Sequence, residues 1–193
     1  MRLVVFGANG PTGLQVTARA VAEGQDAVVS ALGAPFGRGP VTVYSEGAAN
    51  IGRSMAVHGV RRLVCVTSTA LERGEQPGEG LLFRKVVEPF IVNVVGRTVY
   101  TDMRRMEDAV RRSGLDWTIV RPAGLFDAAE VSDYRVARSR MPGRYTSRAD
   151  LAHLMVDRAT SDRDVRAVLD VRTTQGVPGL LDVLREEALG ARR

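Results

Sequence analysis

Leu3-Val4-Val5-Phe6-Gly7-Ala8-Asn9-Gly10-Pro11-Thr12-Gly13 is the stretch whose reading decides the fold. Its first four residues are a short β-branched and aromatic run, its glycines stand at positions 7, 10 and 13, and residues 14–23 continue with helix-compatible spacing. Gly7 allows a tight turn, Gly10 lets the main chain approach a pyrophosphate without a side-chain clash, and Gly13 lets the helix pack close on the strand. Free N–H groups at the helix start then face the phosphates, with the Thr12 hydroxyl as a further donor. An ordinary glycine-rich turn has the same composition; the position between strand and helix selects a phosphate cradle made by Gly7, Asn9, Gly10, Pro11, Thr12 and Gly13.

Outward from the loop the alternation continues. Residues 26–33 read as a second buried strand, followed by a proline- and glycine-rich loop at 34–40 and a helix over 41–58. Residues 62–67 form a third strand. After a loop at 74–80, residues 81–95 and 98–113 read as helices, the latter with Met103, Met106 and Val110 on one face. Trp117-Thr118-Ile119-Val120 is a fourth strand, expected to stop at Arg121-Pro122 because proline cannot donate to a ladder. Short edge strands fit 123–145. A helix over 147–160 has Ser147 as N-cap and Asp150 as the partner of a capping-box variant. A fifth strand at 167–171 and a terminal helix at 180–189 complete the chain. Such alternation predicts one α/β domain over residues 1–193, a Rossmann-like parallel sheet with helices on both faces.

The composition fits a globular chain of this size: 193 residues, 45% hydrophobic and 25% charged, a balance that excludes a disordered or fibrous protein. No apolar run reaches the roughly 18 residues of a membrane span, and the apolar start breaks at Gly7, so no membrane partner and a cytoplasmic location are expected. The single cysteine, Cys65, lies in an apolar run and is assigned to the core, leaving neither an internal disulfide nor a cysteine metal cluster. The net charge of +5 raises the question of nucleic acid. Its arginines are scattered through helical stretches between acidic residues, which reads as a solvated surface rather than a phosphate-binding patch, so no nucleic-acid partner is expected.

Five segments in sequence carry a family resemblance over nearly the whole chain: the 7–13 loop, Asp26-Ala27-Val28-Val29-Ser30-Ala31-Leu32-Gly33, Arg62-Leu63-Val64-Cys65-Val66-Thr67-Ser68, Ser113-Gly114-Leu115-Asp116-Trp117-Thr118-Ile119-Val120-Arg121-Pro122, and Ser147-Arg148-Ala149-Asp150-Leu151-Ala152. The set resembles the atypical short-chain dehydrogenases, in particular NAD(P)H-binding proteins similar to biliverdin reductase B (flavin reductase) and to NmrA-like proteins. The resemblance implies that Ala31, Leu32 and Gly33 line the cofactor, that Thr67 and Ser68 sit beside the nicotinamide, and that Arg121, Pro122 and Ala123 flank its far side. The habit of the family favours NADP (NADPH) over NAD.

Against that plan a segment is missing. The helix ending near Glu23 runs through Gly24-Gln25 straight into Asp26-Ala27-Val28-Val29, which resembles the fourth strand of the family. About two strands and two helices, on the order of 50 residues, are absent, among them the strand whose end reads the adenine ribose or its 2′-phosphate. In the strand order 3-2-1-4-5-6, strands 1 and 4 are neighbours, so the sheet can close the gap with strand 1 as a new edge. The connecting helix must then cross left-handed or change faces.

The short-chain dehydrogenases use a tyrosine with a lysine four residues on, and here the only lysine, Lys85, follows Leu81 by four. Tyr100 and Arg104 imitate the spacing and are the candidate catalytic pair. A register anchored on Ser113-Gly114-Leu115 puts the two family positions instead at Val99 and Met103. Ser68, at a strand's carboxyl end, is the candidate for orienting substrate or a proton-carrying water, although it also fits a plain turn start. His58 and His153 read as structural, and no spacing suggests a metal site. The expected function is an NAD(P)H-dependent oxidoreductase passing hydride to a small planar acceptor, as flavin and biliverdin reductases do. The alternative is a non-catalytic NAD(P)-binding regulatory protein of NmrA-like type. Its partners are expected to be a small-molecule substrate and, through the exposed edge, a second copy in a homodimer, with the monomer as the other state.

Overall fold

A computed structural model describes residues 3–7, 27–35, 37, 39–72 and 96–178. Helices expected over 14–23, 81–95 and 180–189 lie outside these residues, as do Lys85, Asn9, Gly10, Pro11, Thr12 and Gly13. The described elements are β1 (Leu3–Phe6), β2 (Ala27–Ser30), α1 (Val43–Val57), β3 (Arg62–Val66), a 3-10 turn (Thr69–Leu71), α2 (Arg97–Arg112), β4 (Asp116–Pro122), β5 (Gly124–Phe126), β6 (Tyr134–Ala137), β7 (Tyr145–Ser147), α3 (Arg148–Ala159) and β8 (Ala167–Thr173).

The main sheet has the order β1-β2-β3-β4-β8-β6, parallel throughout except for β6, which pairs antiparallel with β8. A two-stranded parallel pair, β5-β7, stands beside it. Successive side chains of a strand point to opposite faces, and the core divides accordingly. Val28, Leu63, Cys65, Trp117 and Ile119 pack with Tyr44, Ile51 and Met55 of α1 and Val99, Met103 and Met106 of α2. Ala27, Val29, Val64 and Val120 pack with Leu151, Leu154 and Met155 of α3. The fold is thus Rossmann-like, a mostly parallel sheet with helices on both faces. Cys65 is 1% exposed, and burial holds its thiol in the neutral form.

β1 pairs directly with β2, Leu3 opposite Ala27 through Phe6 opposite Ser30. Among the described residues nothing pairs with its other side, so β1 is an edge, as the missing segment requires, and Val4 is 53% exposed there. Two sequence expectations need correction. Strand β4 does not stop before Arg121-Pro122 but runs through them, with Pro122 opposite Val171 of β8. Val120 turns its carbonyl toward β3, where it accepts the Thr67 N–H at 2.9 Å. The two-residue alternation aims Pro122's amide position to the same side, beyond the last β3 pair at Val66 and Val120, so no ladder bond is lost. Nor are the arginines uniformly at the surface. Arg62 is 9% exposed, its guanidinium donating to the carbonyls of Arg158, Ser161, Arg163 and Asp116, so it closes the C-terminal end of α3 from β3. Arg172 is 2% exposed, its Nε donating to the Gly143 carbonyl at 2.9 Å.

Helix α3 starts as its sequence indicates, with Ser147 Oγ accepting the Asp150 N–H at 3.0 Å. The Asp150 carboxylate does not return to the cap backbone; it takes the N–H and hydroxyl of Ser132 and the hydroxyl of Thr173, and Ser147 N–H goes to Thr173 Oγ1. Helix α1 has no cap of its own at Thr42. Instead the fully buried Asp102 of α2 accepts the N–H groups of Tyr44, at 2.9 Å, and Ser45, at 3.2 Å, together with the Ser45 hydroxyl. Asp102→Ala strips a cap from α1 and is expected to lower stability by about 1–2 kcal/mol. Urea unfolding checks this, with Asp102→Asn, which keeps one acceptor oxygen, falling between the two.

Candidate functional site: a cleft over the carboxyl ends of the strands

The parallel strands all present their carboxyl ends to one rim of the sheet, the place where ligands bind in open α/β folds. A cleft of about 480 Å³ opens there, within the usual range of small-molecule sites, roughly 300–1,000 Å³. Gly7 enters it from the end of β1, Ala31, Leu32, Gly33, Ala34 and Pro35 from the end of β2, Val66 and Thr67 from the end of β3, and Leu125 from β5. Helices α1, α2 and α3 contribute Tyr44, Met103, and the pair Arg148 and Leu151.

Gly7 is fixed by two constraints at once. Its φ is +81°, the left-handed region where a side chain is strained, and a Cβ built there would lie 2.5 Å from the carbonyl oxygen of Ala31. The chain leaving β1 therefore presses against the chain leaving β2, and only a glycine fits. This close approach of bare backbone at the end of β1 lies beneath a mostly apolar cleft that runs from Gly7 and Ala31 toward Thr67.

Behind Thr67 lies a charge cluster that sequence reasoning missed. Glu107 of α2, 4% exposed, accepts the Thr67 hydroxyl at 2.8 Å and is bridged by Arg121, whose Nε and Nη2 reach its two carboxylate oxygens at 2.9 and 2.7 Å. Arg111 Nη2 adds a third cation contact at 3.0 Å, and Arg121 Nη1 also meets Glu72 at 3.3 Å. Burial pushes the Glu107 carboxyl up, but the Arg121 guanidinium, joined by Thr67 and Arg111, outweighs it, so the group lies below the usual glutamate range. Arg121 shifts the opposite way, held charged by Glu107 and Glu72 against its own burial. The pair is ionised. The only sequence signal for it was that Met103 and Glu107 stand four residues apart and so share a face of α2.

The candidate residues separate in this geometry. Gly7, Ala31, Leu32, Gly33 and Thr67 meet along the cleft. Ser68 turns away from its described lining: its hydroxyl accepts the Ala70 N–H at 3.2 Å, starting the 3-10 turn. Arg121 is bound by carboxylates, Pro122 is buried, and the Ala123 N–H donates to Thr146 Oγ1 at 3.1 Å; none of the three is among the described lining residues. The Tyr100 and Arg104 pair is not brought to the cleft. Tyr100 is 8% exposed within the core between α1 and α2, and Arg104 follows one turn later on the same side of the helix. Met103 lines the cleft instead, so the register through Val99 and Met103 is the one whose second position faces it. Each step along a helix rotates the side chain by about 100°, enough to carry Tyr100 and Arg104 off that face.

Residues 14–162 match the model of a family described as NAD(P)H-binding. The match begins just past the glycine loop, so loop and match are separate signals. The fold is similar to that of a short-chain dehydrogenase/reductase from Veillonella parvula, with TM-score 0.70 and 15% identity over 93% of this chain and 98% of that one. It is also similar to a wide-type short-chain dehydrogenase/reductase from the same organism in complex with NADP, with TM-score 0.67 and 16% identity over 90% of this chain and 95% of that one. A third similar structure is the anaerobilin reductase ChuY from Escherichia coli O157:H7, with TM-score 0.69 and 16% identity over 93% of this chain and all (100%) of the other. At these identities the likeness is one of fold. No helix among the described residues is long and apolar enough to cross a membrane.

Proposed function

The chain belongs to this NAD(P)H-binding family, and from that premise we propose that it is an NAD(P)H-dependent oxidoreductase acting on a small planar acceptor of flavin or biliverdin type, with NADPH preferred. The observation that carries the reading is the cleft, apolar along most of its wall, laid across the strand ends from Gly7 to Thr67. When bound, the nicotinamide supplies the hydride.

What the protein's own residues do is bind, orient and exclude water. Leu32, Pro35, Val66, Met103 and Leu151 keep the cleft dry on several sides. Gly7 and Ala31 would hold the pyrophosphate end, and Thr67 the nicotinamide end. The Thr67 proton is committed to Glu107, so its hydroxyl offers lone pairs to the cleft and can accept from a carboxamide N–H. Met103 holds the position of the family lysine and offers no charge. An acceptor whose reduced form takes its proton from solvent suits such a site, and a flavin-like ring is one. Ser68, Tyr100 and Arg104 are not needed in this scheme.

One observation favours the second reading, a non-catalytic NAD(P)-binding protein of NmrA-like type. Among the described residues β1 is the edge of the sheet, and no described strand stands on the side where the adenine would be read. Titration with NADPH and NADH, followed by oxidation assays with flavin and quinone acceptors, separates the two. The expected result is saturable NADPH binding with oxidation in the presence of flavin. Binding without turnover selects the second reading, and no binding of either nucleotide removes both.

A further inference from the structure

Among the described residues lining the cleft, Arg148 carries the one charge. Its position follows from the pairing of β5 with β7. Phe126 lies opposite Ser147, so the next residue on each strand, Asp127 and Arg148, meet beyond the pair, with Nη1 3.1 Å from Oδ1. The Asp127 side chain is 76% exposed, that of Arg148 22%. Water competes for the aspartate, and a pair so exposed on one side holds weakly. A guanidinium at the rim of an apolar cleft, tied among the described residues only to an exposed carboxylate, can exchange that partner for an anion of a ligand, in two parallel hydrogen bonds. As the first residue of α3 it also stands where the helix field favours a negative charge. Beside it Leu125 leaves 39% of its surface exposed, an apolar ledge next to the cation.

We propose that Arg148 anchors a negatively charged substituent, a phosphate or carboxylate, of the acceptor whose planar body lies on Leu125. The inference rests on the reductase reading and narrows it to anionic acceptors. The acceptor rather than the cofactor is assigned because the two ends of the cleft lie apart in the sheet. Gly7 leaves β1, whereas Arg148 follows β7, which joins the fold through β5 beyond the end of β4, three strand positions from β1. Strand spacing makes that about 14 Å.

Flavin mononucleotide and riboflavin carry the same ring and differ in the phosphate, so they are the probes. Equilibrium binding of each to the full chain, read by quenching of flavin fluorescence with and without NADP, is expected to favour the mononucleotide by about tenfold or more at low salt. Arg148→Gln brings the ratio of the two affinities close to one, and Arg148→Lys restores part of it. No preference in the wild type, or a preference that survives Arg148→Gln, overturns the proposal. An equal loss of NADPH affinity in that variant also overturns it, by placing the anion on the cofactor. The failure of the reductase reading looks different: Arg148-dependent flavin binding with no NADPH oxidation leaves the anion site standing and removes the reaction.

Discussion

Replacing Glu107 by alanine is expected to destabilise the protein by about 3–5 kcal/mol, because it leaves the largely enclosed Arg121 guanidinium with Glu72 as its only carboxylate among the described residues. For a chain of this length that corresponds to a fall in melting temperature of roughly 10 °C. The Thr67 hydroxyl also loses its acceptor, so its proton is freed toward the cleft and affinity for NADPH falls together with stability. Glu107→Gln separates the two effects. The amide keeps the volume and one acceptor oxygen for Thr67 but removes the charge that balances Arg121. Differential scanning calorimetry should therefore show much of the destabilisation in Glu107→Gln, while NADPH titration shows less of the loss. A variant as stable as the wild type would mean that Glu72 alone satisfies Arg121.

The same residue sets a pH dependence whose sign can be worked out. The carboxyl of Glu107 titrates lower in the folded protein than in the unfolded chain, where a glutamate has a pKa of about 4.3. The unfolded state therefore binds the proton first, and the stabilisation from Glu107 is complete above that unfolded value. It is lost as pH falls from there through the depressed folded value. The stability gap between wild type and Glu107→Gln should be constant near neutrality and narrow only in that acid window. A gap that changes between pH 6 and 8, well above the glutamate range near 4.3, would point to a different group.

Gly7→Ala is the second large effect. The left-handed backbone costs an L residue about 1–2 kcal/mol, and here the added methyl also meets the Ala31 carbonyl oxygen at 2.5 Å and its carbon at 2.7 Å, which are main-chain atoms that cannot rotate away. The overlap must be relieved by separating the end of β1 from the end of β2. Among the described residues β1 has no second neighbour to hold it, so the expected consequence is loosening of the edge strand. Hydrogen exchange should show lost protection at residues 3–7, with a fall in melting temperature of roughly 5–10 °C. On the proposed function NADPH affinity should drop by about tenfold or more, since the end of the cleft proposed to hold the pyrophosphate is built on this contact. Gly33→Ala serves as the stability control: nothing lies within 4 Å of the point where its Cβ would stand, and such open substitutions usually stay within about 0.5 kcal/mol.

These two residues illustrate what could be read from the chain and what could not. Gly7 was legible because its role is local. A strand runs straight into a turn that needs positive φ, and the spacing of the glycines carries the signal. The strands were legible for the same reason, as apolar runs of the right length, and the abrupt passage from residue 23 to 26 was enough to foresee that β1 would become an edge next to β2. Ser147 as a cap is likewise a contact over three residues.

Glu107, Asp102, Arg62 and Arg148 were not legible. Each is a charged residue that carries no mark of burial in its own sequence surroundings, and each acquires its role from partners 14 to 101 residues away. The sequence by itself determined the alternation of strands and helices, the glycine at the tight turn after β1 and the direct pairing of β1 with β2, since these depend on periodicity, glycine conformation and chain length. Only the tertiary structure decided which charges are buried and that Arg148 reaches the cleft. A side chain's burial is settled by the elements packed over it, and no local pattern encodes those.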